Sequence, residues 1–356
     1  MKKVCMVEYQ GRVDEEGCPV GHGPKVLLDY YCLLKDRFDI SVYGTKEIMS
    51  GFRERENAKG RILPGRIVMK GHKSFADKIF GKLSMFRNIH LAFKDNEAET
   101  IWFFNTEYYL MLYLALASKR SLKNKKIVAT MFLDGYHGGF VNKVKQFVFE
   151  QAQKKIDVIV SSGFKFAFKN CKSEFIPDYY YVPEKYEEYR DINKQDKCVC
   201  LGTMGAGKQL DELVEAFNKN GYPLHIAGRF YDKEWYEKLA KKALPNIVIE
   251  DKYLSDAEYA SLLSSAKYTV LPYAPDKYNT QTSGVLQEAV FMDTCVIAFR
   301  DVLLGNNTKG IMIDSWEDLA KEDLKRDYTE ITSDYKKQRE TIYNIGIIKE
   351  KYEKVF

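Results

Sequence analysis

The stretch from Tyr268 to Phe299, YTVLPYAPDKYNTQTSGVLQEAVFMDTCVIAF, leaves few folds open. It reads as a buried strand (Tyr268–Leu271), a polar loop (Pro272–Ser283), a helix (about Gly284–Met292) and a second apolar strand (Cys295–Phe299). Such a unit sets a helix N-terminus beside the carboxyl end of a strand. The first N–H groups of that helix lack intrahelical partners and lie at the positive end of its dipole, so the spot attracts an anion such as a phosphate. The loop delivers Thr280, Thr282, Ser283 and Gly284 to this point, and Glu288 lies one turn further along. An ordinary βαβ unit with Ser283 as a plain N-cap fits the same residues.

The alternation extends over the whole chain. Lys3–Glu8 reads as a strand, followed by the loop GRVDEEGCPVGHGPK (Gly11–Lys25), a helix carrying Val26, Leu27, Tyr30, Tyr31, Leu33 and Leu34, and a strand at Phe38–Tyr43. The loop lacks the GxGxxG spacing of a dinucleotide site and instead leaves room for a substrate against the backbone. Gly21, His22 and Gly23 are its candidates for donor or acceptor contact, although His22 equally suits a plain turn. Strands at Thr100–Asn105, Lys126–Leu133 and Asp157–Ser161 alternate with helices at Tyr108–Ser118 and Val141–Lys154, with a short helix at Phe164–Asn170. A second series begins at the strand Cys198–Gly202 and runs through Leu224–Ala227 and Ile247–Glu250 into the opening unit. Alternation of this kind means α/β domains with parallel sheets covered on both faces. A chain of 356 residues can build two such cores. The expected division is 1–182 as the first domain, 183–197 as a polar linker and 198–333 as the second. The charged helical segment 334–356 is available to complete the first domain.

Composition excludes several classes. The seven cysteines form no CxxC pair and mostly sit in apolar runs, which suits buried side chains in a reducing cytosol better than disulfides or metal ligands. The N-terminal apolar run is interrupted by Glu8, so it reads as a strand and not a signal peptide. No run approaches the length of a spanning helix, which predicts a cytoplasmic protein. Positive charge concentrates in residues 51–95, with eleven Lys/Arg against four Asp/Glu, a balance of 11 − 4 = +7. Within it, Phe75, Ile79, Leu83, Phe86, His90 and Phe93 recur along one helical face with Lys78, Lys82 and Arg87 beside them. A basic amphipathic helix of this kind can lie on an anionic membrane at the inner face of the plasma membrane; it also fits a surface helix of an α/β domain. Nothing in the charge pattern implies a nucleic-acid partner.

Gly202-Thr-Met-Gly-Ala-Gly207-Lys208-Gln209 follows a strand, opens a helix and nearly matches a P-loop. Gln209 stands where that motif needs a hydroxyl for magnesium, so a nucleotide triphosphatase is the weaker reading. A glycine-rich turn with a lysine at a helix start suits a diphosphate on its own. Arg229, after Gly228, can add a second cation, or form a surface ion pair. In ATMFLDGYHG (Ala129–Gly138), Asp134 and His137 follow a strand, where a carboxylate or imidazole can accept a proton or steady positive charge at a reacting carbon. A turn at Asp134-Gly135 with His137 merely exposed is the alternative.

Gly202–Lys208 followed by LDELVEAF resembles the Gly-Arg-x4-Lys-Gly opening of the second domain in glycosyltransferase family 4. PLHIAG (Pro223–Gly228), IEDKYLSDAEYASLLSSAKYTVLPY and EAVFMDTCVIAF continue the likeness in order and spacing, over about residues 198–300. The resemblance implies the GT-B fold, two Rossmann-like domains facing each other across a cleft. It assigns Lys208, Ser283 and Gly284 to the donor diphosphate and Glu288 to the ribose hydroxyls. Thr203 stands where the family carries an arginine, and Thr280 where it carries the glutamate that contacts the donor sugar.

The implied activity is transfer of a sugar, with retention, from a UDP- or GDP-linked donor to a saccharide or lipid-linked saccharide, as in bacterial-type surface polysaccharide assembly. Cations and helix amides would hold the leaving diphosphate without a metal, and no cofactor is implied. A non-catalytic GT-B scaffold that partners another transferase remains open because of Thr203 and Thr280.

Overall fold

The computed structural model describes all residues except 15–16, 18–22, 57, 70–74, 95–96, 119, 123, 134, 165, 191, 206, 274–281, 321–322 and 326; at 23–24, 51, 53–56 and 75–78 it describes the backbone alone. The chain forms two compact units. The first comprises Met1–Ser162, Phe166–Asp178 and Ile348–Phe356, and the second is built mainly from Tyr179–Ile347.

In the first unit the strands are β1 (Lys3–Val7), β2 (Arg12–Val13), β3 (Asp39–Gly44), β4 (Gly60–Ile62), β5 (Ile67–Val68), β6 (Thr100–Phe103), β7 (Lys126–Met131), β8 (Val158–Ser161) and β9 (Lys172–Phe175). Its helices are α1 (Gly23–Leu34), α2 (Lys46–Glu56), α3 (Phe75–Lys94), α4 (Tyr108–Leu116) and α5 (Phe140–Gln153). The main sheet is parallel, in the order β4-β3-β1-β6-β7-β8-β9. The central strands β1, β6 and β8 are almost wholly buried, as unbroken apolar runs in a doubly covered sheet must be. The last turns of the chain supply Tyr352 and Phe356, whose rings pack on Tyr30, Phe38 and Trp102.

The second unit opens with α6 (Pro183–Arg190). It continues through β10 (Gln195–Leu201), α7 (Leu210–Asn220), β11 (Leu224–Gly228), α8 (Lys233–Lys242), β12 (Ile247–Asp251), α9 (Asp256–Ser265) and β13 (Ala266–Leu271). It ends with α10 (Gly284–Phe291), β14 (Cys295–Phe299), α11 (Arg300–Gly305), β15 (Ile311–Ile313), α12 (Thr329–Thr341) and the start of α13 (Ile345–Val355). Its sheet is also parallel, ordered β12-β11-β10-β13-β14-β15. The local signals are strong here. Ser255 closes a capping box with Glu258 at α9, Asp232 caps α8, and Gly221 ends α7 in the left-handed conformation. Arg339 of α12, almost fully buried, grips Asp293 with bonds of 2.6 and 3.0 Å.

Three expectations are corrected. Residues 183–197, read as a linker, instead form α6 and the start of β10, and Tyr186 is buried against Tyr181 and Phe291. The stretch lacks apolar periodicity because its one anchoring side chain is a tyrosine among charges. The described residues of 164–170, expected as a short helix, are not helical. The buried stripe of α3 is Met85, Asn88, Ile89, Ala92 and Phe93, while Ile79 and Leu83 are exposed. The spacing was right for a helix, but Ile79, Phe80 and Leu83 point away from the core.

Candidate functional site

In an open α/β sheet, ligands bind beyond the carboxyl ends of the strands where the strand order reverses. In the second unit the chain runs from β10 outward to β12, returns to β13 and proceeds to β15, so the reversal lies between β10 and β13. Both segments singled out in the sequence emerge there. The turn after β10 starts at Gly202 (φ +97°), where Met204 N–H donates to the Arg229 carbonyl at 2.8 Å. The close approach requires glycine at 228, since a Cβ there would lie 1.8 Å from the Gly202 carbonyl oxygen. The turn is then fastened to the loop after β13. Gln209 N–H donates to Pro272 O at 2.7 Å, and Lys208 pairs with Tyr273 in an antiparallel bridge.

Lys208 is half-buried as a residue, but its ammonium end is enclosed. Nζ donates to the Leu201 carbonyl at 3.1 Å and lies 3.5 Å from Met204 Sδ. Burial holds its pKa below the usual lysine range, opposed by the Cys200 thiol. Among the described residues no carboxylate pairs with it. An enclosed ammonium met, among the described residues, by a carbonyl and a thioether is poorly compensated, and an incoming anion would supply the missing charge.

Helix α10 begins beside this lysine's partner. Ser283 is its N-cap: the hydroxyl accepts from Leu286 N–H at 3.4 Å and lies 2.9 Å from the Tyr273 hydroxyl. Among the described residues the N–H groups of Gly284 and Val285 have no hydrogen-bond partner, so two first-turn donors remain for an anion. The Tyr179 ring stands over Gly284, where a Cβ would come within 3.1 Å of it. Further along, half-buried Tyr259 has its hydroxyl enclosed beside Glu288. Burial first, and the Glu288 charge second, push its hydroxyl well above the usual tyrosine pKa, with Tyr273 and Tyr179 adding to the effect. Glu288 is thus half-buried and interacts with the Tyr259 hydroxyl.

Gly202, Lys208, Ser283, Gly284 and Glu288 therefore gather at one reversal point, and Thr282 immediately precedes the cap. Arg229 leaves the same end of the sheet, but its side chain is exposed and lies in the field of Asp251, which Lys233 also holds. His137 belongs to the first unit, on the exposed loop between β7 and α5, where its carbonyl accepts from Asn142 at 2.7 Å. Asp134, Thr280, Gly21 and His22 lie outside the described residues; Gly23 starts α1.

No protein-family model matches the sequence, and no curated protein does. Solved structures do match over essentially the whole length. AviGT4, a glycosyltransferase involved in avilamycin A biosynthesis, aligns with a TM-score of 0.61 at 12% identity, over 100% of this chain and 97% of its own. Anabaena Alr3699/HepE in complex with UDP and glucose gives 0.64 at 11% identity, over 99% of both chains. An α,α-trehalose-phosphate synthase (UDP-forming) from Burkholderia xenovorans gives 0.62 at 10% identity, over 99% of both. All three are GT-B glycosyltransferases. The fold is GT-B.

Within this GT-B chain the residues that sequence reasoning missed are Tyr179, Tyr259 and Tyr273. Each touches a residue that was singled out: Gly284, Glu288 and Ser283 respectively. The high tyrosine content was the only signal available, because single tyrosines from three separate loops and helices carry no spacing.

Proposed function

We propose that this chain is a glycosyltransferase of the family 4 type, moving a sugar with retention from a nucleotide diphosphate donor to a hydroxyl of a saccharide or lipid-linked saccharide. The observation that carries the reading is the enclosed Lys208 ammonium at the strand-order reversal where α10 begins; among the described residues neither this ammonium has a carboxylate partner nor the Gly284 and Val285 amides an acceptor. Bond cleavage at the donor leaves negative charge on the diphosphate. A fixed ammonium and helix amides stabilise that charge without reorganising, and a metal is not needed for this role. Lys208, Ser283 and Gly284 would hold the diphosphate, Thr282 and Thr280 would flank it, and Arg229 would reach its outer oxygens. Glu288 would accept from the ribose hydroxyls, beside the protonated Tyr259 hydroxyl.

The first unit would receive the acceptor. His137 and Asp134 would serve at the reacting carbon, and the loop with Gly21, His22 and Gly23 would close on donor or acceptor. The basic stretch 51–95 supports a peripheral position at an anionic cytoplasmic membrane surface, and hence a role in surface polysaccharide or glycoconjugate assembly. The UDP and glucose bound to HepE support a UDP-linked donor. Titration with UDP and GDP, followed by a donor-hydrolysis assay over a panel of UDP- and GDP-sugars, tests the reading. Nucleotide binding and sugar release that both depend on Lys208 are expected. Binding without turnover, with saccharide acceptors supplied, would favour the non-catalytic scaffold, and absence of nucleotide binding would end both readings.

A further inference from the structure

Helices α3, α4 and α5 form one layer on one face of the first unit's sheet. Helix α4 connects β6 to β7 and α5 connects β7 to β8, steps in the same direction along a parallel sheet, so right-handed crossovers put both on the same side. Met85, Ile89 and Phe93 of α3 share a core with Leu110 and Leu114 of α4 and Phe149 of α5, which places α3 in the same layer. With their core sides so occupied, α3 and α5 should turn polar faces outward. They do not. On α5, Phe140 is 81% exposed and Phe147 62%, with Val144 between them on the same stripe, opposite buried Phe149. On α3, Phe80 is 68% exposed and Leu83 58%, beside Ile79. Large apolar side chains gathered on one outer face mark an interaction surface rather than scatter.

Charge identifies the partner. No Asp or Glu occurs from Ile79 to Lys94 or from Phe140 to Phe149, whereas Lys82, Arg87, Lys94, Lys143 and Lys145 do. Lys82 Nζ lies 5.9 Å from the Tyr109 ring, and Lys145 Nζ lies 5.7 Å from the rings of both Tyr108 and Tyr136. Tyrosine rings with lysine ammonium groups over them, between two apolar helix faces, match the headgroup level of a bilayer. A second copy of the chain would bring like charges together. We infer that the outer face of the α3–α4–α5 layer docks on an anionic lipid bilayer, with the Phe140–Phe147 stripe of α5 inserted among the acyl chains. This rests on the peripheral-membrane reading and extends the contact from the basic stretch 51–95 to α5, which lies outside it.

Co-sedimentation of the full chain with phosphatidylcholine vesicles, with and without phosphatidylglycerol, tests the inference. Binding should require phosphatidylglycerol and weaken as salt is added. The double variants Phe140→Ser/Phe147→Ser and Phe80→Ser/Leu83→Ser should each lower the vesicle partition by about tenfold or more, while UDP affinity measured without vesicles stays at the wild-type value and reports that they fold. Vesicle binding that survives in both double variants would overturn this surface and leave the peripheral reading intact. No binding to either vesicle would remove both. A dimer detected by sedimentation that these variants dissolve would assign the face to a second copy. The donor reading is judged separately, by UDP binding in the same samples.

Discussion

Lys208 and Tyr273 pair through their backbones across the strand-order reversal of the second unit, so the turn after β10 and the loop after β13 behave as one structure. The Tyr273 hydroxyl extends the connection to Ser283 and the start of α10. An enclosed ammonium and an open helix terminus are thereby held in register before any ligand arrives, the preorganisation that stabilising a leaving diphosphate demands.

Lys208→Met should separate ligand binding from stability. Removing a charge-assisted partner of the diphosphate should weaken UDP binding by about 1.5–3 kcal/mol, read by titration calorimetry. Because the ammonium is held at a desolvation cost, its removal should leave the ligand-free protein at least as stable toward urea. A loss of stability with UDP affinity intact would make Lys208 a structural residue.

Glu288→Ala should abolish discrimination between UDP and 2′-deoxy-UDP. A carboxylate that reads the ribose loses its preference when either partner is missing, and the wild type should favour UDP by about tenfold. Equal affinities of wild type and variant for both ligands would remove the ribose role. The spectrophotometric titration of tyrosines offers a second readout, since the Glu288 charge helps keep Tyr259 protonated. In the variant that tyrosine should ionise at lower pH.

The second unit was the more legible in sequence, for physical reasons. Its strands are short apolar runs punctuated by glycine, and its helices carry local caps such as Ser255 with Glu258, signals that need no distant partner. The turn at Gly202–Lys208 and the cap at Ser283 could each be found because a main-chain requirement forces glycine or a hydroxyl at a fixed spacing. Their joining could not, because Gln209 reaches Pro272 across a distance in sequence that only the sheet order spans. Tyr186 hid in a charged segment, and the outward stripe of α5 hid because apolar periodicity marks a helix without saying whether its apolar side meets the core.

Gly228→Ala and Gly221→Ala should differ sharply in urea unfolding. Gly221 ends α7 at φ +67° with open space around a new Cβ, so alanine there should cost about 1 kcal/mol of backbone strain. At Gly228 the new Cβ would lie 1.8 Å from the Gly202 carbonyl and must force the two strand ends apart. That substitution should cost more than about 3 kcal/mol and lower UDP affinity as well, because the displaced turn carries Lys208. Similar midpoints for the two variants would contradict the close packing of these strand ends.

Lys194 should give the second unit an alkaline gain in stability. Its ammonium donates to the Ser264 and Met292 carbonyls and the Thr294 hydroxyl, at 2.8, 2.9 and 3.1 Å. Burial lowers its pKa from the ordinary 10.5 to about 8, against an opposing pull from Asp293. Between these two values the unfolded chain binds more protons than the folded one, so the group's contribution to stability rises with pH across that window. Below about pH 8 both states are protonated and the desolvation cost is constant. The rise should amount to roughly 1–3 kcal/mol, reduced at the upper end by the lysine's partial exposure. Urea unfolding of wild type and Lys194→Met at a series of pH values from neutral to 10.5 isolates this share, since the difference between the two curves should climb across the window. Parallel curves would assign the alkaline behaviour to other groups.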